Sequence, residues 1–251
     1  FAYQKEDDFA VVNYDDENTR TFLTEFKSQK YVFTGKETLP ENLAGSYQKA
    51  CKIFYNLRQP EELICAKEEI KIVGKHNLAN AQAAALACGL AGLKTQEIQA
   101  GLRSFAGLKN RLQLVAEIKA VKFYDDIQST TPQSTEAALN TISQKVYLVA
   151  GGDDKGMDYA KLGQLICEKA KVLFLLPGSG TEIIKSKINS SGGIFSPLRI
   201  AESETFKEVL TELKKVVKAG DIVLVSPACA GFQSHFLQNK SIKTWVEEIF
   251  I

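Results

Sequence analysis

Cysteine and histidine are scarce and scattered in this chain. The five cysteines (Cys51, Cys65, Cys88, Cys167, Cys229) show no C-x-x-C spacing, and only two histidines accompany them. That pattern gives no framework for a structural zinc site. An odd number of thiols argues against a disulfide-stapled secreted domain and for reduced, buried cysteines in a cytoplasmic setting. An excess of one charge is also missing: 31 basic residues face 30 acidic ones, a formal net of +1. This balance argues against a broad basic field for nucleic acid or for a membrane surface. The longest apolar runs, such as 81–93, are too short and too rich in Ala and Gly to span a bilayer. No stretch has the order of a secretory signal, and no repeat or low-complexity tract is visible. The chain opens at Phe1 without Met and soon enters a strand-like run over 8–16. The expectation is a piece of a longer protein.

What is present is a chain of 251 residues, 45% hydrophobic, enough for one large domain or two smaller ones with proper cores. Up to residue 66, short apolar segments alternate with turns, predicting strands over 9–13, 30–34, 52–56 and 62–66 and a helix over 17–28. A further strand over 70–73 ends in Gly74 and leads to helices over 77–91 and 95–104, the second capped by Thr95 with Glu97 in its first turn. The helical pattern breaks at 105–111, the expected domain boundary, giving domains 1–107 and 108–251. Beyond it, strands are expected over 112–117, 121–124, 146–150, 172–176 and 222–225, with helices over 132–142, 159–170, 181–188, 202–219 and 242–249. The late strands are continuous apolar runs, as in Val146-Tyr147-Leu148-Val149-Ala150, which indicates strands buried on both faces of a parallel sheet. The fold class expected is α/β, with a Rossmann-like second domain.

The densest chemistry lies in Phe123-Tyr124-Asp125-Asp126-Ile127-Gln128-Ser129-Thr130-Thr131-Pro132-Gln133-Ser134-Thr135, a strand-to-helix turn. In open α/β sheets ligands bind at such carboxyl ends of strands. Three other turns carry candidate groups. In Gly74-Lys75-His76-Asn77-Leu78-Ala79-Asn80, either Asn77 is an ordinary helix cap or the amides face an anionic or nucleotide ligand. In Gly151-Gly152-Asp153-Asp154-Lys155-Gly156, Lys155 is either a solvated turn residue or a point charge for phosphate. Ser226-Pro227-Ala228-Cys229-Ala230-Gly231 closes the last strand with a hydroxyl and small residues. Pro177-Gly178-Ser179-Gly180-Thr181-Glu182 lacks the third glycine of a dinucleotide fingerprint and reads as simple turn chemistry. Cys229 with His235 would make a thiol nucleophile and base, but Cys229 flanked by alanines reads as packing.

In this order the motifs resemble the Mur ligases: Gly74-x-His76-Asn77-x-x-Asn80, Phe105-x-Gly107-Leu108-x-x-Arg111, Asp125-Asp126-x-x-x-Thr130-x-Pro132-x-Ser134-Thr135, Gly151-Gly152-x-x-Lys155-Gly156 and Ser226-Pro227-Ala228. Within that family they look most like its glutamate-adding members. The resemblance runs from about Phe1 to the C-terminus. It implies the last part of a central ATPase domain (1–107) followed by a whole C-terminal Rossmann-like domain (108–251). It further implies an ATP-dependent, amide-forming ligase of peptidoglycan synthesis. The substrates would be UDP-N-acetylmuramoyl-L-alanine and glutamate, and the reaction would pass through an acyl phosphate. ATP would act with Mg²⁺, whose ligands, like the family's P-loop, would lie outside this chain, so the chain alone is expected to be inactive. By motif match Asn77, Asn80, Arg111 and Asp126 would bind nucleotide, with Arg111 near phosphate and Asp126 near ribose. Gln128, Thr130, Lys155 and Ser226 would lie toward the amino acid, with Lys155 and Thr130 catalytic. Gln128 departs from the pattern, because glutamate-adding members commonly carry Lys there, which puts the handling of the incoming amino acid in doubt. A cytoplasmic monomer without nucleic-acid or membrane partners is expected. Another Mur-type or folylpolyglutamate-synthase-like ligase, or a non-catalytic nucleotide-binding module, stays open.

Overall fold

The computed structural model describes residues 2–57, 60–191 and 198–251. The chain divides into two units, Phe1–Gly107 and Leu108–Ile251.

The first unit holds five strands in sheet order: β1 (Phe9–Asn13), β2 (Gln29–Phe33), β3 (Ala44–Lys49), β4 (Lys52–Tyr55) and β5 (Glu62–Ala66). The first three are parallel and the last two antiparallel. Helices α2 (Lys75–Leu90) and α3 (Thr95–Ser104) bury Leu78, Ala85, Leu86 and Ile98 against Ile53, Tyr55 and Ile64. Within that core Gln82 is satisfied by donating to the Thr34 carbonyl (2.9 Å) and accepting from Gln48 (2.9 Å). Three expectations are corrected here, and one strand is added. The helix expected over 17–28 is the short α1 (Glu17–Thr21) followed by a 3-10 turn at Leu23–Glu25. β3 is not legible as a strand because it packs through Gly45, where a Cβ would lie 1.8 Å from the Val32 carbonyl oxygen. The 70–73 segment forms no strand: the turn at Lys67–Glu69, tied by Ala66 N–H to the Glu69 carboxylate (2.8 Å), drops Ile70 into the core instead. Thr95 does not cap α3. Glu97 accepts from the Lys94 N–H (2.8 Å), and the Thr95 hydroxyl bonds Glu62 and the Tyr55 hydroxyl.

The second unit is a six-stranded sheet. Its strands are β6 (Gln113–Ile118), β7 (Val121–Asp125), β8 (Val146–Gly151), β9 (Ala170–Leu176), β10 (Arg199–Glu202) and β11 (Ile222–Val225), in the order β10-β9-β8-β11-β7-β6. All neighbours are parallel except β6 and β7, a hairpin turned by Lys119 and Ala120, both at positive φ. Alternate residues of the buried strands serve opposite faces. Tyr147, Val149, Phe123 and Val225 pack under α7 (Phe206–Val216) and α9 (Ile242–Phe250). Leu148, Ala150, Leu173 and Leu224 pack under α4 (Pro132–Thr141), α5 (Ala160–Lys169) and α6 (Ser179–Ser191). The expected helix over 202–219 is shorter, because β10 takes residues up to Glu202 and the Thr205 hydroxyl caps α7 by accepting from Glu208 N–H (3.2 Å). A short helix, α8 (Phe232–Phe236), follows the last strand and has no counterpart in the sequence pattern. The structure is the α/β fold expected, with a mainly parallel second sheet.

Candidate functional site

Because β11 lies between β7 and β8, the carboxyl ends of these three strands are neighbours, and the loops that leave them form one rim. At the end of β7 the Asp126 N–H donates to Val225 O (2.9 Å). Its carboxylate is enclosed: Oδ1 accepts from Leu112 N–H (2.9 Å), and Oδ2 accepts from Ser129 Oγ (2.6 Å) and Ser226 Oγ (2.7 Å). Ser226 in turn pairs with Thr135 Oγ1 (2.8 Å) at the first turn of α4. Asp125 accepts from Asn110 Nδ2 (2.7 Å) and Ile127 N–H (3.2 Å). Burial pushes both carboxyls above the ordinary aspartate range, against the pull of these donors. From the sequence alone Asp126 is expected on ribose and Ser226 toward the amino acid. Here Asp126 is 4% and Ser226 0% exposed, and their polar atoms are engaged with each other beneath the rim. Removing the Asp126 carboxylate would therefore leave buried donors without their acceptor.

The other candidates of this unit stand in the open. Lys155 is exposed and its Nζ donates to Thr130 Oγ1 (3.2 Å), joining the β8 loop to the β7 loop. Arg111 is exposed, with Nη1 donating to the Gln128 carbonyl (3.1 Å), and Gln128 is exposed beside it. In the first unit Gly74, at φ 104, occupies the cap position of α2. Asn77 therefore lies in the first turn, donating to Val73 O (2.7 Å), and Asn80 Nδ2 reaches Asn77 Oδ1 (3.4 Å).

What fixes Lys155 is backbone packing that a side chain would prevent. A Cβ on Gly152 (φ +124) would lie 2.3 Å from Ala230 O, and one on Gly178 would lie 2.2 Å from Gly152 O. Gly180 N–H donates to Gly152 O (2.9 Å), and Ser179 Oγ accepts from Asp154 N–H (3.0 Å). The turn after β9, read from sequence as simple turn chemistry, is thus the support of the Lys155 loop. Ser179, Asp153 and His235 were missed as rim residues; only the placing of Ser226-Pro227-Ala228 next to Gly151-Gly152 could have signalled them. Cys229 is no nucleophile. It is buried against the Tyr159 hydroxyl (3.6 Å), burial pushes its thiol up to about 11, and His235 faces Asp153 instead. Among the described residues no group of three or more His, Cys, Asp or Glu could hold a metal ion, and no helix is long and apolar enough to cross a membrane.

Two family descriptions match the chain: the Mur ligase middle domain over residues 1–88, and the Mur ligase, glutamate ligase domain over residues 110–229. The chain belongs to the Mur ligase family. Among curated relatives of this Mur ligase chain, the UDP-N-acetylmuramoylalanine--D-glutamate ligase of Pelotomaculum thermopropionicum is 33% identical over 232 residues, covering 92% of this chain and 49% of the relative. That of Caldicellulosiruptor bescii is 33% identical over 245 residues, 96% of this chain and 52% of the relative. The chain thus spans about half the length of these relatives. Among solved structures, the MurF ligase of Thermotoga maritima, in complex with ADP, superposes with a TM-score of 0.60 at 17% identity over 98% of this chain and 54% of that one. The pseudomurein peptide ligase type C of Methanothermus fervidus gives 0.64 at 14% identity, over 95% and 56%. At such identities the structural likeness speaks for the fold.

Proposed function

We propose that this chain is the nucleotide- and amino-acid-handling part of a cytoplasmic, monomeric, ATP-dependent ligase that joins glutamate to UDP-N-acetylmuramoyl-L-alanine. The observation that carries this reading is the contact of Lys155 Nζ with Thr130 Oγ1 on the strand-end rim, in a chain one-third identical to ligases named for that reaction. The γ-phosphoryl group of ATP passes to the alanyl carboxylate. The glutamate amine then attacks the acyl carbon, an amide bond forms, and phosphate leaves with the electron pair of the broken C–O bond. Such chemistry depends on positioning and on neutralising the charge that develops. Lys155 supplies a point charge to the acyl phosphate, with Thr130 fixing its ammonium. Arg111 is close at hand for phosphate, and Asn77 and Asn80 offer amides to the nucleotide. Gln128 presents a neutral amide to the amino acid, which follows the relatives' name in being D-glutamate. Asp126 and Ser226 act beneath the surface, holding the loops that carry Arg111 and Thr130. Among the described residues no group of three or more His, Cys, Asp or Glu could hold Mg²⁺.

The test is phosphate release by the complete protein. Release should require both UDP-N-acetylmuramoyl-L-alanine and D-glutamate, and Lys155→Ala should lower turnover by about 10²-fold. This chain alone should release none. Equal release with a different amino acid, or turnover by the isolated chain that Lys155→Ala abolishes, would overturn the reading.

A further inference from the structure

One more basic side chain stands on the rim, outside the groups used so far. His235 lies on α8, and its imidazole occupies the space that a side chain at Gly231 would fill. A Cβ there would sit 2.7 Å from His235 Cε1, 2.9 Å from Nδ1 and 3.1 Å from Asp153 Oδ2, and Gly231 is held at φ +79. Asp153 is pinned to Ala230 by two backbone hydrogen bonds, N–H to O at 3.0 Å and the return bond at 2.8 Å. Its Oδ2 faces His235 Nδ1 at 3.7 Å, an ion-pair distance. The Phe236 ring meets the imidazole edge-on, with centroids 5.9 Å apart. The ring is therefore bounded by Gly231, Asp153 and Phe236. Asp153 and His235 both keep 49% of their side-chain surface open, so packing alone does not explain the arrangement. With Nδ1 facing the Asp153 carboxylate, Nε2 is the ring nitrogen left to donate to a ligand carboxylate, which the imidazole does in its protonated form.

The same loop, Gly151 to Lys155, carries the partner of His235 and the rim's ammonium group. An incoming glutamate brings two carboxylates. Lys155, beside the acyl phosphate, can also meet one of them, Gln128 carries no charge, and Arg111 is assigned above to phosphate. We infer that His235, oriented by Asp153 over Gly231, is a specificity-determining residue that receives the side-chain carboxylate of the incoming amino acid. This rests on the ligase reading above. A position that pairs with a carboxylate disfavours the amide analogue, because the charge-assisted bond is lost.

The experiment compares D-glutamate with D-glutamine as acceptor in the complete protein, at saturating ATP and UDP-N-acetylmuramoyl-L-alanine. The unmodified protein should prefer glutamate. His235→Ala should raise the KM for glutamate on the order of 10- to 100-fold, with kcat and the KM for ATP little changed. The glutamine rate should stay the same, so that the preference ratio collapses. Asp153→Asn and Gly231→Ala, which loosen or displace the ring, should move the ratio the same way. If His235→Ala does not fold, His235→Gln reads the same ratio. An unchanged ratio in a folded His235 variant, whatever its overall rate, overturns this assignment and leaves the ligase reading intact. Absence of glutamate-dependent turnover in the unmodified protein removes the ligase reading and this assignment together.

Discussion

The two halves of the rim are held by different means. Where β7 meets β11, side chains do the holding: Asp126, Ser129, Ser226 and Thr135 bond one another and are sealed from solvent. Where β8 meets β9 and β11, backbone does the holding through glycines, and the side chains of Asp153, Lys155 and His235 are left free to reach outward. The most conspicuous charges in the sequence, Asp125 and Asp126, thus belong to the scaffold. The less conspicuous loop carries the groups proposed to meet substrate. A site needs both kinds of support, because a group that must meet a substrate cannot also be spent on holding its own loop.

The sharpest way to break this contrast is Asp126→Ala. It leaves Ser129 Oγ, Ser226 Oγ and Leu112 N–H without their acceptor, and the loss should be about 3 kcal/mol of unfolding free energy in urea. A loss below about 1 kcal/mol would mean that the sealed half is not structural. Asp126→Asn adds a pH signature. Burial raises both folded carboxyl pKa values above the unfolded range, so these groups favour the folded state below about pH 4. That contribution is lost as pH rises through the raised folded values. The variant, lacking one of the two groups, should therefore gain stability relative to the unmodified protein as pH rises above about 4.

On the open half, Gly152→Ala should come next, at about 2–3 kcal/mol, because its Cβ meets Ala230 O at 2.3 Å on a backbone at φ +124. Calorimetric melting reads this directly, and an unchanged midpoint would show that the loops separate freely. Lys155→Ala should have the smallest effect on stability, within about 0.5 kcal/mol, since an exposed ammonium on one hydroxyl contributes little to folding. A large loss of stability there would erase the distinction between the two halves.

Much of the scaffold can be read in the residues. Ile222-Val223-Leu224-Val225 and its companions are apolar at every position because both sheet faces are covered, and that pattern is hard to mistake. The turns after β7, β8 and β11 are equally legible, and the structure brings them to one rim. The failures have physical causes. β3 carries Gly45 and Ser46, buried by close backbone approach and not by apolar side chains, so periodicity is silent. β10 is a four-residue edge strand with no core-filling alternation. Ile70-Lys71-Ile72-Val73 alternates like a strand but has no partner strand. In the site, the enclosure of Asp126 is not legible, because nothing in its neighbours reveals Ser226, which is 100 residues away. The partners of Ser179 and His235 are hidden for the same reason, since these side chains meet Asp154 and Asp153 across the rim.

The position of β11 has a consequence for biosynthesis. It leaves the ribosome after the other five strands of its sheet, yet it stands in the middle of that sheet, with β7 and β8 pairing only with it on their facing edges. Until it is made, both of those edges are unpaired and apolar, and the nascent domain has no way to close its high-contact-order sheet. Vectorial folding from the N-terminus is therefore blocked in this unit. The sheet closes only once Ile222–Val225 is available, and a chain cut short before Ile222 would present two open strand edges to its neighbours.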